Sequence, residues 1–298
     1  MTTTTAQDNA LSFPIAFAAL FMGAVAMGVS PVFVRLAEIG PFASAFWRVA
    51  LALPFLFIWV LLECRRSQIP LSTALRIDKP IIYCGLFFAG DLFFWHLSIL
   101  NTTIANATLL ACLAPVWVAL FSGAFIGESV GKGVFTGLGL CLVGAAFLLG
   151  SSFAIAPERL LGDIYGAVTS LFFGLYFLAV RVARRNRQAG SITFVSTIIT
   201  ALVLLGVALI AKEDFLPQTI VGFSALLALG LVSHTGGQGL LAVALGSLSA
   251  AFSSLVIFIE AVAAAIFGWL FFAEALTGLQ FAGSLFILAG IWVARTNK

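Results

Sequence analysis

The sequence predicts an all-α polytopic membrane protein: ten transmembrane helices arranged as two inverted five-helix repeats. Three observations carry this. Of the 298 residues, 62% are apolar and only 9% charged, which excludes an ordinary soluble domain. The apolar residues gather into stretches of membrane-spanning length, about 20 residues each. The two halves echo each other: Gly28, Val34, Arg35 and Ala37 recur 146 residues later as Gly174, Val180, Arg181 and Ala183. Further on, Gly90 recurs as Gly236, Glu128 as Glu274, Gly137 as Gly283 and Gly144 as Gly290. Chance identities are common in so biased a composition, so the weight lies in the register. Rare Arg and Glu fall at matching helix ends and glycines at matching helix middles. A repeat with an odd number of spans reverses its direction across the membrane, and inverted repeats build many secondary transporters, with the substrate site where the halves meet.

The stretches run Ser12–Val34, Phe42–Leu62, Lys79–Leu100, Ile104–Ile126 and Lys132–Gly150 in the first half. The second half gives Gly162–Val182, Ser191–Ala211, Ile220–Leu245, Ser249–Phe272 and Leu276–Ala294. Their unbroken apolar character fits helices; barrel strands are short and alternating. The resulting division is a polar N-terminal tail (1–11), a first repeat (12–150), a connecting loop (151–161), a second repeat (162–295) and a C-terminal tail (296–298). Residues 1–10 lack the basic region of a cleaved signal peptide. With the N-terminus inside, eleven Lys and Arg fall on the cytoplasmic side and four, Arg35, Arg48, Arg159 and Lys212, on the other. That bias places both termini in the cytoplasm.

Along the chain, the third stretch carries Asp91 at midplane depth, with Trp95 and Ser98 on its stripe and His96 turned away. The fourth carries Asn106, Leu110, Leu113 and Trp117 on one stripe, and Pro115 is expected to kink it. In the fifth, Gly133, Gly137, Gly139 and Gly144 have no polar company and read as close-packing positions. Tyr176 lies mid-membrane in the sixth, with Thr169 on its face, and its hydroxyl needs a buried partner. The eighth holds the most irregular run, His234-Thr235-Gly236-Gly237-Gln238-Gly239. Three glycines in four positions weaken a helix by about 1 kcal/mol each relative to Ala. The segment matching it in the third stretch surrounds Gly90 and Asp91, and paired Gly-interrupted segments point to a transporter's binding site. In the ninth, Glu260 shares a face with Ser253.

The substrate-cavity candidates are therefore Asp91, Trp95, His96, Asn106, Trp117, Tyr176, His234, Gln238, Ser253 and Glu260. Gly90, Pro115, Gly236, Gly237 and Gly239 are the hinge and backbone candidates. A charge at the bilayer centre costs about 2.5–3.5 kcal/mol on insertion scales, so such groups face the bundle interior or a wet cavity. A structural role stays open beside the functional one: Glu260 protonated against a freed carbonyl, His96 as a polar helix end, the glycines as packing. Arg48, near an outer helix end after Trp47, is expected to snorkel to the interface. Glu128 and Glu274 are expected to cap the fifth and tenth helices. The four cysteines show no metal spacing and read as packing residues.

No Gly-rich phosphate loop, paired His, Cys cluster or nucleophile–base motif is visible, so the chain is expected to be no enzyme, without cofactor or metal. Nucleic acid is not an expected partner. With no cluster of Arg or Lys in the pathway, a neutral, zwitterionic or amphipathic solute fits better than a sugar phosphate.

Three segments carry a family resemblance: Pro31–Ala37 followed by Gly40-Pro41 and Phe46-Trp47-Arg48; Ala105-Asn106-Ala107 through Leu113-Ala114-Pro115 to Gly127-Glu128; and Ala250-Ala251 to Ala273-Glu274. The chain resembles the EamA family of the drug/metabolite transporter superfamily over nearly its whole length. Within the family it is most similar to bacterial YddG-type exporters of aromatic and other amino acids. The resemblance implies ten helices in two inverted repeats, cytoplasmic termini, the bacterial inner (plasma) membrane and export of small metabolites. It also implies a central cavity lined by helices 1, 3, 4, 6, 8 and 9. One departure matters: four-helix multidrug relatives carry a proton-coupling carboxylate in helix 1, and Phe13–Val34 has none. The leading expectation is an amino-acid exporter working by alternating access. The alternatives are a drug or other metabolite exporter, and a non-transporting scaffold or channel-like protein. Internal pseudo-symmetry makes a monomer sufficient and leaves a dimer open.

Overall fold

The computed structural model describes residues 11–102, 104–149, 157–272 and 277–296. Among them, nine helices are long and apolar enough to cross a membrane. They are span 1 (Phe13–Leu36), span 2 (Pro41–Ser67), span 3 (Lys79–Asn101), span 4 (Leu109–Ile126), span 6 (Pro157–Ala183), span 7 (Ala189–Ala211), span 8 (Ile220–Ala244), span 9 (Ala250–Phe271) and span 10 (Gly278–Arg295). At the place of the fifth expected span lies a shorter apolar helix, Lys132–Leu148, called span 5 below. The predicted cap Glu274, residues 1–10 and 297–298 of the tails, and most of the connecting loop lie outside the described residues.

Prolines set most of the helix breaks. Span 1 divides at Val29 into Phe13–Gly28 and Ser30–Leu36, with Pro31 in the first turn of the second piece. Span 2 divides ahead of Leu53–Ser67, where Pro54 holds the same place. Pro115 does likewise in the span 4 helix Ala114–Phe121, which follows Ile104–Ala111. A proline lacks the N–H that would continue the upstream ladder, yet suits a helix start. Cys112 lies at this break. Span 9 breaks at nearly the same register of its repeat, at Ile257 between Ala250–Val256 and Phe258–Phe272, with no proline. Span 8 keeps its length but winds as a π-helix over Leu229–Gln238, the glycine-rich segment the sequence singles out. Such i→i+5 turns are rare and recur at functional sites.

The packing repeats as the sequence does. A methyl group built on Gly28 would meet the Glu260 carbonyl oxygen and Ala263 Cβ of span 9. One built on Gly174 would meet the Ala114 carbonyl oxygen and Trp117 Cβ of span 4, all three partners shifted by 146. Spans 5 and 10 close on each other through a glycine quartet: Gly137 backs onto the Gly290 carbonyl and Gly144 onto that of Gly283. This bears out the packing reading of Gly137 and Gly144, whereas Gly139 faces open space. Small residues let helix backbones approach where the bilayer offers no hydrophobic drive. Spans 2 and 7 cap each other. Glu63 near the end of span 2 accepts the Gly190 N–H at 3.0 Å, and Glu213 beyond span 7 accepts that of Ala43 at 2.6 Å. Each carboxylate thus satisfies an orphan donor at the positive end of the other helix.

Span 3 packs most extensively on span 6, and span 1 lies against spans 8 and 9. Spans 3, 4 and 6 thus form one bundle and spans 1, 8 and 9 another. Spans 2 and 7 adjoin both bundles on one flank, and spans 5 and 10 pair on the other. The core side chains converge between the bundles.

Candidate functional site

Four aromatic or charged side chains from four spans meet where the bundles face each other. Phe88 of span 3 packs at a tilt against Tyr176 of span 6, ring centroids 4.9 Å apart, and against His234 of span 8, 5.4 Å apart. The guanidinium of Arg48 from span 2 lies over the Phe88 ring, 6.0 Å from its centroid. His234 is fixed by a 2.8 Å hydrogen bond between its Nε2 and Thr197 Oγ1 of span 7. Its Nδ1 is buried without a protein partner. Within electrostatic reach of Arg48 are Asp91, one turn beyond Phe88, and Glu260. Glu260 lies in the first turn of the second half of span 9, where the helix dipole favours a carboxylate. Spans 2, 3, 6, 7, 8 and 9 each contribute a side chain to this one group.

Arg48 corrects the sequence expectation. It is 7% exposed and points inward. The first helix of span 2 ends at Ala50, two residues after Arg48, and the break at Leu51–Ala52 leaves the guanidinium beside the bundles. Thr197 was also missed. A Thr within an apolar run reads as filler, and only the fold brings it to His234.

Other predicted residues lie around this centre with partners of their own. His96 Nδ1 bonds the Leu92 carbonyl at 2.5 Å, and Trp95 meets the His96 ring edge-on at 5.0 Å. The span 4 stripe faces span 6. Asn106 donates to Asp163 at 2.9 Å, Trp117 Nε1 donates to Ser170 Oγ at 2.8 Å, and Leu110 sits on Gly166. Gln238 Nε2 reaches Met27 Sδ of span 1 at 3.2 Å, so it and His234 address different neighbours in the π-helix. Ser253 is buried with no partner for its hydroxyl, and the break at Ile257 separates it from Glu260. Of the glycines, Gly90 makes room for the Phe172 ring, Gly237 for Met27 and Gly239 for Trp59, while a Cβ on Gly236 would meet only the Leu231 carbonyl oxygen, at an ordinary 3.5 Å. Among the described residues no three His, Cys, Asp or Glu are grouped to hold a metal ion.

A second polar group joins the bundles at one end. Glu128, after span 4, pairs with Arg181 Nε at the end of span 6 at 2.5 Å. Its other oxygen accepts the Ala250 N–H at the start of span 9, at 3.0 Å. Arg181 Nη1 donates to the Leu245 carbonyl at the end of span 8, at 2.7 Å. Glu128 therefore caps span 9, not the fifth helix. It joins the ends of spans 4 and 6 to those of spans 8 and 9. On the same side, Ala114–Phe121 of span 4 packs on Ala250–Val256 of span 9.

The model of the EamA-like transporter family matches residues 14–150 and again residues 160–296, two stretches offset by the same 146 residues. The chain belongs to the EamA-like transporter family. It is a multi-pass membrane protein of that family, whose two-repeat architecture fits the packing above. Over 188 residues it is 28% identical to the pseudopaline exporter CntI of Pseudomonas aeruginosa, covering 62% of this chain and 62% of that one. An uncharacterized transporter of Archaeoglobus fulgidus is 30% identical over 177 residues, 59% of this chain and 60% of that one. The matches thus span about 60% of the length of these curated relatives. A crystal structure 20% identical in sequence superposes with a TM-score of 0.79, covering 95% of this chain and 98% of that one. That likeness supports the fold alone.

Proposed function

We infer that this EamA-family transporter is a secondary exporter of small metabolites, with amino acids including aromatic ones as the substrates. It moves them out of the cytoplasm by alternating access. It would sit in a bacterial inner (plasma) membrane as ten spans, repeats 12–150 and 162–295, with both termini cytoplasmic. The observation that carries the reading is the polar and aromatic group at the meeting of the two repeats. Phe88, Tyr176 and His234 offer ring faces to an apolar side chain. Asp91 and Glu260 offer carboxylates, and buried polar atoms of His234, Gln238 and Ser253 lack protein partners. Buried polar groups without partners inside a membrane fold mark places where something else supplies the bonds. The resemblance of the chain to an exporter over 188 residues supports the direction of transport.

Discontinuous helices at the site support alternating access. In this reading the Glu128–Arg181 group closes the cytoplasmic end, and spans 4 and 9 bend at their breaks when it opens. The runner-up is export of another metabolite or a drug by the same site, which the pseudopaline exporter's name keeps in view.

Counterflow tests both. Purified protein is reconstituted in liposomes preloaded with unlabelled phenylalanine, and uptake of labelled phenylalanine is followed without a proton gradient. Saturable accumulation competed by other amino acids is expected. No accumulation by folded, inserted protein removes the amino-acid reading and leaves the metabolite and drug readings.

A further inference from the structure

Arg48 does not reach the interface as its sequence position suggests, and its surroundings do not look like those of a structural arginine. Two other arginines in the same chain show what structural satisfaction looks like. Arg187 spreads its guanidinium over the carbonyls of Thr73, Ala74 and Arg76 and the carboxylate of Asp78. Arg181 pairs with Glu128 in direct contact and bonds the Leu245 carbonyl. Arg48 is more deeply buried than either, its Nε has no partner, and its side chain forms no hydrogen bond or ion pair among the described residues. A guanidinium stays charged at every physiological pH, so its charge has to be balanced where it stands.

Asp91 on span 3 and Glu260 on span 9 lie within electrostatic range of Arg48, on different bundles, and neither is in ion-pair contact with it. The Phe88 ring flanks the guanidinium. Glu260 is mostly but not fully buried.

We propose that Arg48 is the carboxylate-binding residue of the central site, and that it opposes Asp91 and Glu260 so as to select α-amino-acid zwitterions. The inference rests on the transport reading above and names the chemistry of that site. A planar guanidinium presents paired N–H donors that match a carboxylate's two oxygens. Asp91 and Glu260 take the ammonium, and the rings of Phe88, Tyr176 and His234 take the side chain. A zwitterion adds no net charge to the site, yet gives each buried charge a partner. An amine without a carboxylate leaves Arg48 unpaired, and an acid without an ammonium leaves Asp91 and Glu260 without a cationic partner. A site built around such groups rejects analogues that lack the matching one far more strongly than it rejects a change of apolar bulk.

The test is competition in the phenylalanine counterflow assay, using phenethylamine, which lacks the carboxylate, and 3-phenylpropionate, which lacks the ammonium. Wild-type protein is expected to be inhibited by phenylalanine at a concentration at least about 10-fold below that needed for either analogue. Arg48→Gln is expected to raise the KM for phenylalanine at least about 10-fold and to erase the preference over phenethylamine. Arg48→Lys keeps the charge, loses the planar fork and is expected to fall between the two. Folded Arg48→Gln protein with wild-type KM and wild-type discrimination overturns the assignment while leaving the transport reading intact. Should Arg48→Gln fail to fold, the wild-type panel decides: equal inhibition by phenethylamine and phenylalanine overturns it. Absence of any wild-type phenylalanine flux overturns the amino-acid reading together with this assignment, and that outcome is distinct from the other two.

Discussion

Phe88 and His234 lie 146 residues apart in sequence, the shift that relates the two halves, and their rings touch at 5.4 Å. Repeat-equivalent residues can be neighbours only where the pseudo-two-fold axis passes between them. Cys141 and Ile287 are a second such pair, with the Cys141 thiol 3.6 Å from the Ile287 carbonyl oxygen. The axis therefore runs through the glycine-packed pair of spans 5 and 10 and through the ring contact at the centre. The site is thus set at the symmetry element, and its chemistry is where the symmetry fails. Phe88 faces a histidine, Asp91 corresponds to Gly237, and Glu260 to Ala114.

Replacing His234 with Phe tests the axis directly, because it makes the pair identical. The ring contact survives and the bond to Thr197 is lost, leaving a buried hydroxyl to find another partner. The expected outcome is a folded protein destabilised by about 1–3 kcal/mol, with impaired counterflow. Thermal unfolding in detergent, run beside the flux assay, reads both. Unchanged transport would remove His234 from the site and leave it a packing residue.

Glu128 and Arg181 supply a second prediction. Their contacts join the two bundles at the end assigned to the cytoplasm, so weakening them favours opening there. Glu128→Gln removes the charge that Arg181 pairs with. A charge-assisted bond is worth about 1.5–3 kcal/mol, which corresponds to a roughly 10-fold or greater shift toward the open state. The readout is a cysteine at Ser254, buried in the first half of span 9, in protein lacking its native cysteines. Thiol labelling from the cytoplasmic face is expected to quicken about 10-fold in Glu128→Gln. Equal rates would mean that this group only holds loops in place.

How much of this was legible in the sequence depends on the length scale involved. The spans were legible because an apolar run of bilayer length has few other uses, and the repeat because Arg and Glu are scarce enough to keep register. The π-helical turn fell where the glycines crowd in span 8, and the break of span 4 where Pro115 stands. Three features were not legible. The inward turn of Arg48 follows from a helix break whose position near Pro54 changes how the preceding helix is aimed. Span 9 breaks at Ile257 without a proline or glycine to announce it. Glu128 caps span 9 rather than the helix that follows it, because its partners are distant in sequence and only packing brings them together. Local patterns specify elements, whereas the aim of a single long side chain is a tertiary result.

The glycines of span 5 separate packing from indifference. A methyl group at Gly137 or Gly144 would run into the facing backbone of span 10, whereas at Gly139 it would meet nothing within 4 Å. Overpacking of this kind costs about 1–3 kcal/mol. Gly137→Ala and Gly144→Ala are expected to lower the unfolding temperature in detergent while leaving the KM of the surviving protein unchanged. Gly139→Ala is expected to equal or exceed wild type, since it gains helix propensity with no clash. Equal stability in all three would show that spans 5 and 10 do not depend on their close approach.

Gly236 offers the sharpest test of a moving part. Its neighbours Gly237 and Gly239 are held to size by Met27 and Trp59, so a substitution there disturbs packing and motion together. At Gly236 the nearest atom to an added Cβ is the Leu231 carbonyl oxygen, 3.5 Å away, an ordinary contact. Alanine is therefore accommodated in the π-helical segment, and it favours regular helix over glycine by about 1 kcal/mol. If the segment rewinds as the bundles exchange positions, Gly236→Ala slows turnover with little change in unfolding temperature. Gly236→Leu adds bulk to the π-helical segment two residues from His234 and is expected to abolish counterflow in protein that still inserts and folds. Wild-type flux in properly inserted Gly236→Leu would place both the hinge and the substrate path elsewhere. Slow flux in Gly236→Ala with an unchanged KM would assign the glycine to motion and not to binding.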